Sequence, residues 1–270
     1  MGDRELPRAQ DRLAPDRPVT REWGDPAGRP IVFWPGLNPW GELQLVEVGP
    51  LLADRGFHVV SIVPPQHLDG PDAYRPSALA RYVLEVARLE RFAFIGHSWG
   101  ASIGVHLAAS HPQQVDALVL LDAGHTDVRR IDSRDELVRE FESEQAAFGF
   151  DSWDAYFDWV EERVRDWRPS LEPRYREGMT EENGRIVPRA NPRVAAWALY
   201  GVSVEPPSAE LARIKAPILL ILAGNNDDAD ALERFKKAQP NARIEVVDSG
   251  HDIPEDAPEE TVRLVTEFLG

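Results

Sequence analysis

The sequence predicts an α/β fold, a mostly parallel doubly wound sheet with an inserted helical cap, and three observations carry that expectation. Short apolar runs bounded by turn residues alternate with amphipathic segments, and such strands belong to a parallel sheet covered on both faces. The alternation stops between Gly124 and Pro207, where the chain turns helical, charged and aromatic. At Phe94-Ile95-Gly96-His97-Ser98-Trp99-Gly100-Ala101 an apolar strand gives way to a small-residue helix through a serine set between two glycines.

Met1 to Pro18 holds three prolines and many charges with nothing to bury, so residues 1–18 are expected to form a flexible arm. Val19 to Trp23 reads as an edge strand, and Pro30 to Trp34 as a buried strand stopped by Pro35-Gly36. A helix from about Glu42 to Asp54 is expected to close at Arg55-Gly56. The strand His58 to Val63, a helix from about Ser77 to Leu89, the strand Arg91 to Ile95 and a helix over Ala101 to Ala109 follow. Val115 to Leu121, Ile218 to Ala223 and Ile244 to Val247 supply the remaining strands. Residues 19–124 and 208–270 therefore form the core, and 125–207 the cap.

Within the cap, helix starts are read at Ser133, Asp151 and Asn191, and breaks at Pro169, Pro173, Gly184 and Pro188. Phe148, Phe150, Trp153, Tyr156, Phe157 and Trp159 fall within twelve residues of one another. One thin helical layer cannot bury so many rings, so some should face the core. Trp153, Phe157 and Trp159 are the candidates for a pocket lining.

Lysine and arginine total 30 against 46 aspartates and glutamates, a formal charge of −16. That balance repels nucleic acid and anionic membrane surfaces, which excludes them as expected partners. The absence of cysteine removes thiolate metal sites and cysteine nucleophiles by inventory. The charged N-terminal stretch has no apolar core of a secretory signal, and no apolar run is long enough to span a bilayer, so a cytoplasmic location is expected. The G-x-G-x-x-G and P-loop patterns are absent, and no metal or cofactor is expected.

A strand–turn–helix passage this sharp strains its central residue and leaves no room for side chains two positions away, a steric reason for Gly96 and Gly100. The hydroxyl of Ser98 then projects above the sheet edge, where the following helix directs its N-terminal N–H groups. A serine hydroxyl needs a base to take its proton and an acid to orient the base. In a parallel sheet, only residues just past the C-terminal ends of strands meet at that edge. His251, in the short loop Asp248-Ser249-Gly250-His251 after the last strand, is the candidate base, with His125 in reserve. Asp227, in Gly224-Asn225-Asn226-Asp227-Asp228, is the candidate acid. Asp228 is an alternative that also suits a helix cap, and Asp122 one that also suits hydrogen bonds from loop backbone.

The order Ser98, Asp227, His251, with a helical insertion before the acid, resembles the α/β-hydrolase superfamily with a cap domain, over nearly the whole of Val19 to Gly270. The resemblance implies an oxyanion hole made by the backbone N–H groups of Leu37 and Trp99. The chain departs from the family pattern at Pro35, where a histidine usually precedes the glycine, and at Pro64-Pro65-Gln66-His67-Leu68-Asp69. The activity implied is hydrolysis of a carboxylic ester, thioester or lactone of a small, fairly apolar substrate through an acyl-enzyme on Ser98. C–C hydrolases and iminopeptidases share the pattern, and a non-catalytic small-molecule binder on the same fold is the reading from another class.

Overall fold

The computed structural model describes residues 20–37, 44–164, 167–224 and 228–270. Strands β1 (Thr20–Trp23), β2 (Arg29–Trp34) and β3 (Phe57–Ile62) are followed by β4 (Phe92–His97) and β5 (Val115–Leu121). After a long insertion come β8 (Ile218–Ala223) and β9 (Arg243–Val247), the insertion itself carrying β6 (Met179–Glu182) and β7 (Arg185–Pro188). The main sheet has seven strands in the order β1-β3-β2-β4-β5-β8-β9. β1 runs antiparallel to β3 on one edge, and the other pairs are parallel.

The alternation of side chains along these strands separates two apolar layers. Val32, Phe94, Leu118 and Leu220 face a layer with α2 (Pro76–Ala87), α3 (Trp99–Ser110) and α8 (Ala229–Ala238). Ile31, Ile95, Val119 and Ile221 face the other layer, with α1 (Val48–Ala53) and α10 (Pro258–Leu269). The sheet is thus wound on both faces, as expected from its continuous apolar strands. Of the helix expected over 42–54, residues 42 and 43 lie outside the described residues, and the helix begins only at Val48. Pro50 explains the late start, since a proline without an N–H is tolerated only in a first turn.

The insertion holds α4 (Arg134–Ala147), α5 (Trp153–Glu161), α6 (Glu172–Glu177) and α7 (Pro192–Val204). Ser133, Ser152 and Asn191 cap α4, α5 and α7 through their side-chain oxygens. To the helical cap expected from the sequence the structure adds the hairpin of β6 and β7. Its turn places Asn183 at φ 52° and Gly184 at φ 76°, the two left-handed positions that an Asn-Gly hairpin turn requires. The four-residue strands are too short to show a period of two in the sequence. Helix α7 reaches into the core, where Ala198 and Val202 join the α3 layer. The short helix α9 (Ile253–Asp256) lies between β9 and α10. The expected arm, 1–18, lies outside the described residues, among which no helix is long and apolar enough to cross a membrane.

Candidate active site

Ser98 links β4 to α3 at φ 51° and ψ −112°, a left-handed conformation for a residue with a side chain. The surroundings hold it there: its N–H donates to Leu121 O at 3.1 Å, and its carbonyl accepts from Ala101 N–H at 3.0 Å. A Cβ on Gly96 would lie 2.3 Å from Gly100 O, and one on Gly100 would lie 2.1 Å from Trp34 O. The ends of β2 and β4 and the start of α3 therefore close on one another through the two glycines, the steric reason expected from the sequence.

After β9 the chain turns at Ser249, whose N–H donates to Val247 O, while Gly250 N–H donates to Asp256 Oδ2 at 2.7 Å. This loop carries His251 back over the sheet edge. Its Nε2 lies 2.9 Å from Ser98 Oγ, and its Nδ1 lies 2.7 Å from Asp122 Oδ2. Asp122 follows β5 directly at φ 50°, and its Oδ1 accepts from Ala223 N–H at 2.9 Å. One carboxylate thus both binds backbone at the sheet edge and meets the imidazole. Hydrogen bonding to Asp122 holds the His251 imidazolium above its ordinary titration range, against the partial burial of the ring.

Asp227, the acid expected from the sequence, lies outside the described residues. The carboxylate that meets His251 is that of Asp122, and the reason is strand order. β5 sits between β4, which carries Ser98, and β8, so the residue just past β5 lies beside Ser98 and within reach of the loop after β9. Asp228 caps α8, accepting from Ala231 N–H at 2.9 Å. His125, the reserve base, is buried, while Nε2 of His251 is the imidazole nitrogen at Ser98 Oγ.

Beneath this triangle lies His97, which the sequence places in the turn beside Ser98. Its Nε2 donates to His251 O at 2.7 Å, and burial pushes its titration down to about 4. Its Nδ1 lies 2.9 Å from Oε1 of Gln44, a fully buried side chain whose Oε1 accepts from Gly36 N–H at 2.9 Å. Gln44 Nε2 donates to Asp252 Oδ1 at 3.0 Å. Nothing in the stretch around Gln44 marks it in the sequence, because its role depends on three loops that are distant along the chain.

A cavity of about 510 Å³ opens beside Gly36, Leu37 and Trp99, roofed by Phe141, Phe148 and Trp159 of the cap. A second, of about 700 Å³, lies between Trp159 and His251 and is rimmed by Asp248, Asp252 and Asp256. Trp159 lines both, whereas Trp153 and Phe157 line neither. They stack on each other at 6.1 Å, with the Arg176 guanidinium 4.2 Å from Trp153 and 4.9 Å from Phe157. The helical period puts residues 153 and 157 on one face, turned into the cap's own cluster with Tyr156 and Val160.

The cap is fastened to the core beside the same loop. Arg174 of α6 pairs with Glu255 of α9, both buried, and Tyr175 Oη donates to Glu255 Oε2 at 3.0 Å. Arg168 pairs with Glu47, and Arg21 with Glu177 at 2.5 Å. Among the described residues, no cluster of three or more His, Asp or Glu side chains is arranged to hold a metal ion.

A serine hydrolase-like protein of Danio rerio is 31% identical over 112 residues, which are 37% of this chain and 32% of that protein. A haloperoxidase-named protein of Mycobacterium phage D29 is 33% identical over 102 residues, 36% of each chain. The matched stretch thus spans about a third of the length of these relatives. The structure is similar to that of E-2-(acetamidomethylene)succinate hydrolase, with a TM-score of 0.74 at 19% identity over 93% of this chain and 94% of that one. It is also similar to a thioesterase domain of the curacin biosynthetic pathway (0.73, 17% identity, 92% and 95%) and to the enol-lactonase of Burkholderia xenovorans (0.69, 17%, 93% and 96%). These likenesses extend to the fold, while the family described as Alpha/beta hydrolase matches residues 31–264. The chain belongs to the alpha/beta hydrolase family.

Proposed function

We propose that this hydrolase cleaves a carboxylic ester, thioester or lactone of a small, fairly apolar substrate through an acyl-enzyme on Ser98. The observation that carries the reading is the continuous relay from Ser98 Oγ to His251 Nε2 and from His251 Nδ1 to Asp122 Oδ2, at 2.9 and 2.7 Å. In this reading Asp122 takes the role that the sequence suggested for Asp227. His251 removes the Ser98 proton as Oγ attacks the substrate carbonyl, and Asp122 stabilises the imidazolium that results. His251 then returns the proton to the departing alcohol or thiol as the acyl bond breaks. Water repeats the sequence on the acyl-enzyme, releasing the acid and regenerating Ser98.

The N–H groups of Leu37 and Trp99 are the proposed oxyanion donors. Trp99 opens α3, where an α-helix leaves its first N–H groups without intrahelical partners, and both residues line the cavity. Each such donor is worth about 3 to 4 kcal/mol of barrier. The thioesterase, enol-lactonase and succinate-hydrolase names of the structural neighbours accord with a hydrolytic reaction on this fold. A small-molecule binder has no need of the complete relay, which favours the enzyme.

A fluorophosphonate probe followed by peptide mass spectrometry tests the reading. It should modify Ser98, and Ser98→Ala should lose the adduct and about 10⁶ in kcat on nitrophenyl esters. An unmodified Ser98, with ester hydrolysis kept in the Ala variant, would end it.

A further inference from the structure

The buried amide of Gln44 joins two loops that the proposed reaction must hold in register. Its Oε1 accepts from Gly36 N–H at 2.9 Å, one residue before Leu37, and its Nε2 donates to Asp252 Oδ1 at 3.0 Å, one residue after His251. The two acceptor and donor demands fix the orientation of the amide, since Gly36 N–H needs an oxygen and the Asp252 carboxylate needs an N–H. Gln44 is fully buried, and its loss would leave the buried Gly36 N–H without this acceptor. His97, packed between the same groups, secures the other side of the base loop by donating to His251 O. The space is tight, as a Cβ on Gly36 would lie 2.8 Å from His97 Nδ1 and 3.3 Å from Ser98 Cβ.

We infer that Gln44 is a positioning residue: it sets the distance between the Leu37 N–H and the imidazole of His251 without touching the substrate. The inference rests on the serine-hydrolase reading. Gln44 does not line the cavity roofed by the cap, so its loss should act on the chemical steps and leave substrate binding largely alone. Displacement of an assembled site by a fraction of an ångström to an ångström costs up to about 100-fold in rate.

The test uses two variants and a rescue, with fluorophosphonate labelling, kcat and KM on a nitrophenyl ester, and thermal melting measured for each. Gln44→Met keeps the volume and removes both hydrogen bonds. Gln44→Glu keeps an acceptor for Gly36 N–H but sets a carboxylate against Asp252, and it remains informative if the Met variant does not fold. Both should lower kcat and the labelling rate by about 10- to 100-fold with KM changed less than about threefold. Adding Asp252→Asn to Gln44→Glu supplies an N–H that donates to the new carboxylate, restoring the bridge with its polarity reversed, and should recover most of the lost kcat. Folded variants with the parent's kcat, a loss confined to KM, or no recovery in the double variant would overturn the inference. Labelling of the parent separates the two levels: an unlabelled parent overturns the serine reading and the inference with it, whereas a labelled parent with unaffected variants overturns the inference alone.

Discussion

Asp122 and His251, 129 residues apart in the chain, meet at 2.7 Å between Oδ2 and Nδ1, and the second carboxylate oxygen of Asp122 is taken by Ala223 N–H. The backbone of β8 thereby fixes the acid in the plane from which it orients the imidazole. Asp122→Asn should therefore cost about 10⁴ in kcat by favouring the wrong tautomer, while Asp227→Asn should leave kcat within a few-fold of the parent. Because Asp122 raises the His251 titration and the proposed mechanism uses the neutral imidazole as base, activity should rise with pH through an inflection above the ordinary histidine value of about 6.5. In Asp122→Asn the residual activity should show that inflection moved down. The reverse pattern in the two Asn variants, or an unmoved inflection, would show that another carboxylate orients His251.

Ser98 at φ 51° stores backbone strain that a glycine would not feel. Ser98→Gly should abolish activity and yet stabilise the protein by about 1 kcal/mol, raising the melting temperature by about 2 to 4 °C. Calorimetry showing the Gly variant less stable than the parent would mean that the side-chain contacts of Ser98 outweigh its strain.

Of the pocket candidates Trp153, Phe157 and Trp159, the cavity is lined by Trp159, together with Phe141 and Phe148. Each CH₂ removed from water there is worth about 0.8 kcal/mol, so kcat/KM should climb from acetate to about hexanoate esters. Trp159→Ala and Phe148→Ala should flatten that climb. Trp153→Ala, which removes a ring packed against both Phe157 and the Arg176 guanidinium, should lower the melting temperature and leave the slope intact.

The pair of Arg174 and Glu255 is buried on both sides, at 3% and 6% side-chain exposure, and joins the cap to the helix that follows His251. Arg174→Met strands a buried carboxylate and should cost about 3 to 5 kcal/mol in urea unfolding. Arg174→Met combined with Glu255→Leu should recover most of that loss, because two apolar side chains replace both charges. A double variant as unstable as the single one would show that the cost lies in lost packing instead.

Strand β1 at the edge, the parallel order of apolar strands, the glycine-bracketed turn at Ser98 and the position of His251 after the last strand were all legible along the chain. Each rests on a local signal: a run of β-branched residues, a turn with no room for Cβ atoms, a short loop closing a strand. The hairpin at Asn183-Gly184 was partly legible, since the turn residues stand in the sequence, but its four-residue strands are too short for a period to be read. The face of α5 was legible only as a helical repeat, which pairs Trp153 with Phe157 without saying which side looks inward.

Sequence by itself determined the serine and the histidine of the proposed site, because a serine strained between Gly96 and Gly100 and a histidine in a strand-end loop are properties of neighbours in the chain. Tertiary structure alone decided which carboxylate meets that histidine and which amide joins its loop to Gly36. Asp122, Asp227 and Asp228 all stand just past a strand, and their residue types and local spacing do not separate them. The lateral order β4-β5-β8-β9 does, by setting Asp122 beside Ser98 under the His251 loop. Gln44 is further still from any local signal, since its bonds to Gly36 and Asp252 span 8 and 208 residues of chain and exist only once the two loops have packed over His97.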